Sequence, residues 1–307
     1  MPELPEAEMV RRNLEANCLG KGISDVIVRD DRILDNVDVA FLARYLDGRR
    51  FTSTFRHGKR IFLKAEELQV ENKQVKDKHI VNQQKGNQQL EIQQSENHRS
   101  KDLWLTIHLG MTGWIDCLNI PDNILKGERS VKSLPNEPPY TRLLIRFGRG
   151  EAMAYTDPRL FGRLGLTKSP EDFIRQRYLG PDALKTDFDE FSKGLRKRKG
   201  CVKSILLDQG FIAGLGNLYA DEVLFQAGIN PQTKSCAVNN AKSSRLFGAI
   251  QEVLNTAISS SSDFNILPGS YLLPHRHLGG RCPKDGSVLK VIKVNGRTTY
   301  FCPEHQG

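Results

Sequence analysis

Apolar residues recur at Ala7, Val10, Leu14 and Cys18, the three-and-four spacing that lays one face of a helix on a core. Pro5 suits the first helical position, Glu6 and Glu8 suit the positive dipole end, and Gly20 ends the run. Between residues 24 and 68 the pattern shortens to strands, in SDVIVRD and in RRFTSTFRHGKRIFLKA, the second folding back about His57–Gly58. Strand-like text resumes at DLWLTIHLGMTGWIDC and at TRLLIRFGRGEAMAYTD, with a turn at 148–150. From about residue 170 the period turns helical, with helices expected at 187–196, 201–209, 217–227 and 238–258. The tail changes again, to SVLKVIKV and RTTYFC joined at Asn295–Gly296, a hairpin dipeptide. Two polar stretches interrupt this order. Residues 69–101 are rich in Gln, Asn, Lys and Glu and read as a disordered insertion, and 119–139 is polar and carries prolines. The pattern predicts an α+β multidomain chain, with an antiparallel β-rich unit led by a helix, a helical unit and a small hairpin.

Charge changes the picture first. Forty-five basic against thirty-six acidic residues leave +9, which favours an anionic partner and nucleic acid first. No apolar run reaches the length of a membrane span, and the acidic N-terminus is neither a secretory signal nor a basic transit peptide, so a cytoplasmic protein with no membrane partner is expected. Of six cysteines only Cys282 and Cys302 lie close together, and they point to a metal rather than a disulfide.

Each of those cysteines heads a C-P-x-x knuckle, completed by Asp285 and by His305, with the spacing of a zinc ribbon. One structural Zn2+ held by Cys282, Asp285, Cys302 and His305 would supply folding energy to so short a segment, with His275 or His277 as the alternative to Asp285. In GFIAGLGNLYADEVLF, glycines lead into a helix with Asn217 at the N-cap position, so free backbone N–H groups and the dipole offer a phosphate site beside the basic cluster LRKRKGCVK. At the other end, MPELPE raises a chemical possibility. Removal of Met1, expected before a small second residue, leaves Pro2 as a secondary amine, unprotonated in part near neutral pH and able to form a Schiff base.

Together the segments PELPEAE, GKRIFL, HLGMTG, TDPRLFGRLGL, LGPDAL, KSILLDQGFIAGLGNLYADEVLFQAGINP and GRTTYFCPEHQ, running in order from residue 2 to 306, resemble the formamidopyrimidine-DNA glycosylase family. The resemblance implies an N-terminal antiparallel β-sandwich (2–168), a helix–two-turns–helix DNA-binding domain (187–266) and a C-terminal zinc finger (274–307). It implies a monomeric bifunctional glycosylase and abasic-site lyase acting on oxidised bases, 8-oxoguanine and formamidopyrimidines, in double-stranded damaged DNA. Pro2 then matches the nucleophile and Glu3 the proton donor, with Glu6 one turn on in support. Lys59 matches the lysine of β-elimination and Arg297 the finger arginine of δ-elimination. Met111, Arg159 and Phe161 match the set that fills the gap left by an extruded nucleotide, Arg159 reading the orphaned base. His108, Arg198, Lys203 and Asn217 match or lie at backbone-contact positions.

The chain departs from the family pattern in three places. Leu160 stands where many relatives carry a second basic residue, SSSSDFNILPGSYLLPHRH is shorter than the usual stretch before the finger, and Asp285 and His305 replace cysteines. The shortened stretch leaves open an endonuclease VIII-like preference for oxidised pyrimidines, or mainly abasic-site lyase activity. A non-catalytic lesion-binding protein is the rival of another class, against which Pro2, Glu3 and Lys59 together speak. A zinc-ribbon RNA binder has no aromatic stacking motif behind it.

Overall fold

The structure, a computed structural model, describes residues 2–68, 102–119, 136–148 and 150–307. Both polar interruptions fall on undescribed residues, 69–101 wholly and 119–139 in large part, so the expected insertion lies outside the described residues.

Helix α1 (Leu4–Cys18) buries Ala7, Val10, Leu14 and Cys18, the face its periodicity predicts. Two four-stranded antiparallel sheets follow. One has the order β1 (Ile23–Val28), β6 (Thr141–Phe147), β7 (Glu151–Thr156), β5 (Trp114–Asn119). The other has β2 (Arg49–His57), β3 (Arg60–Glu67), β4 (Leu103–His108), β8 (Arg163–Thr167). Inward residues of both sheets, among them Phe51, Ile61, Leu105, Ile145 and Tyr155, share one core with α1. The β1–β2 connection holds a helix that strand periodicity did not predict, α2 (Val39–Leu46), whose Asp38 side chain caps it by accepting from Phe41 N.

Helix α3 (Pro170–Gln176) packs on the second sheet, its Phe173 edge-on to Phe62 of β3, and the helical unit contains α4 (Phe188–Lys197), α5 (Val202–Leu206), α6 (Asn217–Gln226) and α7 (Asn240–Ser259). Its core takes Leu4 from the first turn of α1, so that helix is seated in two cores. The tail forms β9 (Lys290–Val294) and β10 (Arg297–Phe301), paired from Val294↔Arg297 across the Asn295–Gly296 turn. Among the described residues no helix is long and apolar enough to cross a membrane.

A buried ionic cluster joins the two large units. Arg56, on β2, pairs with Glu8 of α1 at 2.9 Å and with Asp182 of the connecting segment at 2.5 Å. Asp182 also accepts from Gly58 N at 2.7 Å and Leu184 N at 3.0 Å.

Candidate active site

Pro2 is half-buried and stands directly before Glu3, the N-cap of α1. Glu3 N donates to Glu6 Oε2 at 2.7 Å, which closes the first turn from behind. The Glu3 side chain leaves its own helix. Its carboxylate accepts from Gly216 N at 2.6 Å and Leu218 N at 2.9 Å, at the N-terminus of α6. The approach requires glycine at 216, where an added Cβ would stand 2.3 Å from the Glu3 carboxyl carbon. Burial pushes the Glu3 carboxyl above the usual carboxylate range, while Lys59 and the two N–H groups oppose it. Glu6 Oε1 accepts from the Tyr219 hydroxyl at 2.8 Å, and burial together with that carboxylate pushes the phenol upward.

Lys59 occupies the β2–β3 turn beside Gly58, which has φ +54. The Arg56–Asp182 cluster fixes that turn through Gly58 N and through the Gly58 carbonyl, which accepts from Arg56 Nη1 at 2.9 Å. His57 Nε2 donates to Gly180 O at 2.8 Å, a second tie to the connecting segment. Burial pushes the Lys59 ammonium down; Glu3 and Glu6 pull it back up and Arg297 pushes it further down. Glu3, Glu6 and the arginine at the start of β10 are thus the charges that act on Lys59. Arg297 itself is exposed, and the strand behind it is pinned to α6: Thr298 O accepts from Asn217 Nδ2 at 3.0 Å and Arg276 Nη2 at 3.1 Å, and Tyr300 N donates to Asp221 Oδ2 at 3.1 Å.

Three expected backbone-contact residues have partners within the chain. Lys203 is fully buried, 2.5 Å from Asp221 and donating to Thr299 Oγ1 at 2.6 Å, so its ammonium locks α5 and α6 to the finger and is closed to a phosphate. Asn217 is the first residue of α6, and Gly216 is the N-cap. Of the N–H groups at that helix start, those of Gly216 and Leu218 are taken by Glu3. Arg198 stacks on Phe211, its guanidinium 4.6 Å from the ring centroid, and donates to Gly194 O and Gly210 O. His108, at the end of β4, accepts from Gly110 N at its Nδ1, which leaves the proton on Nε2. Burial, with Arg60, Lys59 and Arg163 nearby, pushes this imidazole down to about 3.

Met111 is half-buried in the β4–β5 turn, while Arg159 and Phe161 are exposed between β7 and β8. The Arg159 guanidinium lies 4.9 Å from the Phe161 ring centroid. Between them Leu160 adopts φ +58. The residue that organises both loops, Asp157, was not singled out from the sequence, although TDPRLFG contains it. Nor were Arg56, Asp182, Tyr219 or Asp221, because their partners lie far off along the chain.

In the finger, ligand atoms of Cys282, Asp285 and Cys302 lie within 4.8 Å of one another. Two thiols and a carboxylate form a donor set suited to zinc. Backbone N–H groups of Lys284 and Asp285 face the Cys282 sulfur, and His305 N faces that of Cys302 at 3.2 Å, an arrangement suited to thiolates. The His305 ring, expected as the fourth ligand, stands outside the group: Nε2 donates to Phe225 O at 2.8 Å and the ring packs edge-on against Phe225. Asp285, and not its alternatives His275 or His277, stands with the two thiols, and among the described residues no histidine joins the three donors.

The formamidopyrimidine-DNA glycosylase N-terminal domain profile matches residues 1–164, and the H2TH domain profile of the same enzyme matches residues 179–265. A formamidopyrimidine-DNA glycosylase of Solibacter usitatus is 32% identical over 317 residues, with 100% of this chain and 99% of that protein covered. One from Arabidopsis thaliana is 30% identical over 312 residues, covering all of this chain and 71% of that protein. The crystal structure of the Lactococcus lactis enzyme non-covalently bound to DNA containing an abasic site superposes with a TM-score of 0.74 at 27% identity, over 99% of both chains. Two matched profiles spanning sandwich and helices, with relatives aligned over the whole of this chain, lead to one conclusion: the chain belongs to the formamidopyrimidine-DNA glycosylase family.

Proposed function

We propose that the protein is a bifunctional DNA glycosylase and abasic-site lyase that excises oxidised bases from duplex DNA through a Schiff base on Pro2. The observation that carries this reading is the seating of Glu3, directly behind Pro2, on the N-terminus of α6 with Lys59 in electrostatic reach. With Met1 cleaved, the Pro2 amine attacks C1′ of an extruded nucleotide and the base departs. A carboxyl raised by burial supplies the proton that the opening sugar needs. An amine lowered by burial, Lys59, accepts the C2′ proton that starts β-elimination of the 3′ phosphate. Arg297, exposed on the finger, acts in δ-elimination and holds the departing phosphate. The substrate class is oxidised purines, 8-oxoguanine and formamidopyrimidines.

Zinc held by Cys282, Asp285 and Cys302 would brace the knuckles that carry β10 and so hold Arg297 in place. Its role is structural, and His305 serves the fold from the Phe225 carbonyl.

The short segment after α7 favours a second substrate reading. Ser261 and Ser262 both turn through φ +54, and Ser262 Oγ lies 3.5 Å from the Tyr219 hydroxyl, so the connection to the finger stays tucked against the site. A connection this short leaves less chain to close over an oxidised purine, which suits oxidised pyrimidines or a bare abasic site. Borohydride trapping on duplexes carrying 8-oxoguanine, an oxidised pyrimidine or an abasic site separates the readings. A covalent adduct lost in Pro2→Gly supports the mechanism, and binding without any adduct would make the protein a lesion binder.

A further inference from the structure

Asp157 is fully buried, and four donors converge on its carboxylate. Oδ1 accepts from Thr112 Oγ1 at 2.7 Å and Arg159 N at 3.2 Å; Oδ2 accepts from Gly162 N at 2.7 Å and the Tyr155 hydroxyl at 3.3 Å. Bonds to Arg159 N and Gly162 N are local and would belong to any aspartate-led turn. The Thr112 bond is different. It crosses 45 positions to the loop that carries Met111. The backbone of Asp157 is itself fixed, its N–H donating to Tyr140 O at 3.1 Å and its carbonyl accepting from Arg142 Nε at 2.9 Å.

The two loops also meet without slack. A Cβ added at Gly110, beside Met111, would stand 2.5 Å from Gly162 N and 2.5 Å from Phe161 C of the other loop. Neither loop can shift by a side chain's width without moving the other.

We infer that Asp157, through Thr112, is a positioning residue that makes the Met111 loop and the Arg159–Phe161 loop enter DNA as one rigid wedge. Filling the gap and reading the orphaned partner base are then a single coupled event, and partner-base specificity depends on a buried carboxylate that touches no DNA. This inference rests on the glycosylase reading proposed above.

The test is a double-mutant cycle of Met111→Ala and Arg159→Ala on the full chain, read as single-turnover excision with the lesion opposite each of the four bases. The cycle is run in the parent and in Thr112→Val, an isosteric change that deletes only the inter-loop bond. In the parent the two effects should deviate from multiplicative by at least about five-fold. In Thr112→Val they should multiply, and the spread of rates across partner bases should narrow by a similar factor. Covalent trapping on a single-stranded abasic oligonucleotide, which has no partner base, should match the parent. Asp157→Asn should move the same readouts further; if it fails to fold, Thr112→Val alone decides. Multiplicative effects in the parent, or an unchanged cycle and spread in Thr112→Val, would overturn the inference. A parent that traps on no substrate would instead overturn the glycosylase reading.

Discussion

Arg56 and Asp182 form a buried ion pair at 2.5 Å between strand β2 and the segment that leads into the helical unit. Neither is near the other in sequence, yet their bonds define the turn that presents Lys59. Removing one partner leaves the other charge without compensation, so Asp182→Ala should destabilise the protein by about 3–5 kcal/mol. Chemical denaturation, with Glu8→Gln as a milder comparison, measures the loss.

Pro2 can act only as a free amine. Intact-mass spectrometry of the purified protein should show Met1 removed, and Pro2→Gly should abolish the borohydride-trapped adduct while retaining affinity for abasic DNA. Retained methionine on active protein would sink the mechanism.

Opposite pKa shifts at Glu3 and Lys59 predict a bell-shaped rate profile. Glu3 is raised, so its protonated form is lost as pH climbs through the raised value and base excision falls there. Lys59 is lowered, so the free amine appears at lower pH than for an ordinary lysine, and nicking of a preformed abasic site grows through that range. Glu3→Gln should abolish base excision at every pH while sparing nicking of a preformed abasic site, and Lys59→Ala should leave trapping intact while slowing strand scission by at least about 10²-fold.

Glu222 gives a stability signature. Burial raises its carboxyl from 4.5 to about 7, against hydrogen bonds from Gln226, Leu272 N and Leu273 N. A raised carboxyl stabilises the fold fully below its unfolded pKa, and the contribution disappears as pH rises through about 7. Stability should therefore fall by about 3 kcal/mol between pH 4.5 and 8, and Glu222→Gln should flatten that slope in urea titrations.

Lys203 and the zinc group separate structural cations from DNA-facing ones. Lys203→Met should lower stability yet leave the salt dependence of DNA binding unchanged, since a buried ammonium releases no counterion. One equivalent of zinc is expected, and chelation should abolish strand nicking before it unfolds the sandwich.

What the sequence revealed follows the range of the interactions involved. The α1 face, the 295–296 hairpin and the Cys282–Cys302 pairing rest on local periodicity or fixed spacing, and the structure has them where the pattern puts them. Helix α2 was missed because VAFLARYL is apolar without alternation and too short to declare a period. Lys203 misled for another reason. A lysine in a basic cluster looks like a phosphate site until a remote Asp221 occupies it, and only the folded chain shows the occupant. Asp157 stood unnoticed in TDPRLFG because Thr112 is 45 positions away.

Helix α1 has its body in the sandwich core and Leu4 in the helical one. Split at the connecting segment, the sandwich alone would leave Leu4 without its apolar cover and the Glu3 carboxylate without the amides of α6. The seat of the N-terminal segment is thus complete only when both halves are folded and joined. A molecule folded in one half alone lacks the pocket that holds Glu3, so the architecture makes this site a product of the whole fold.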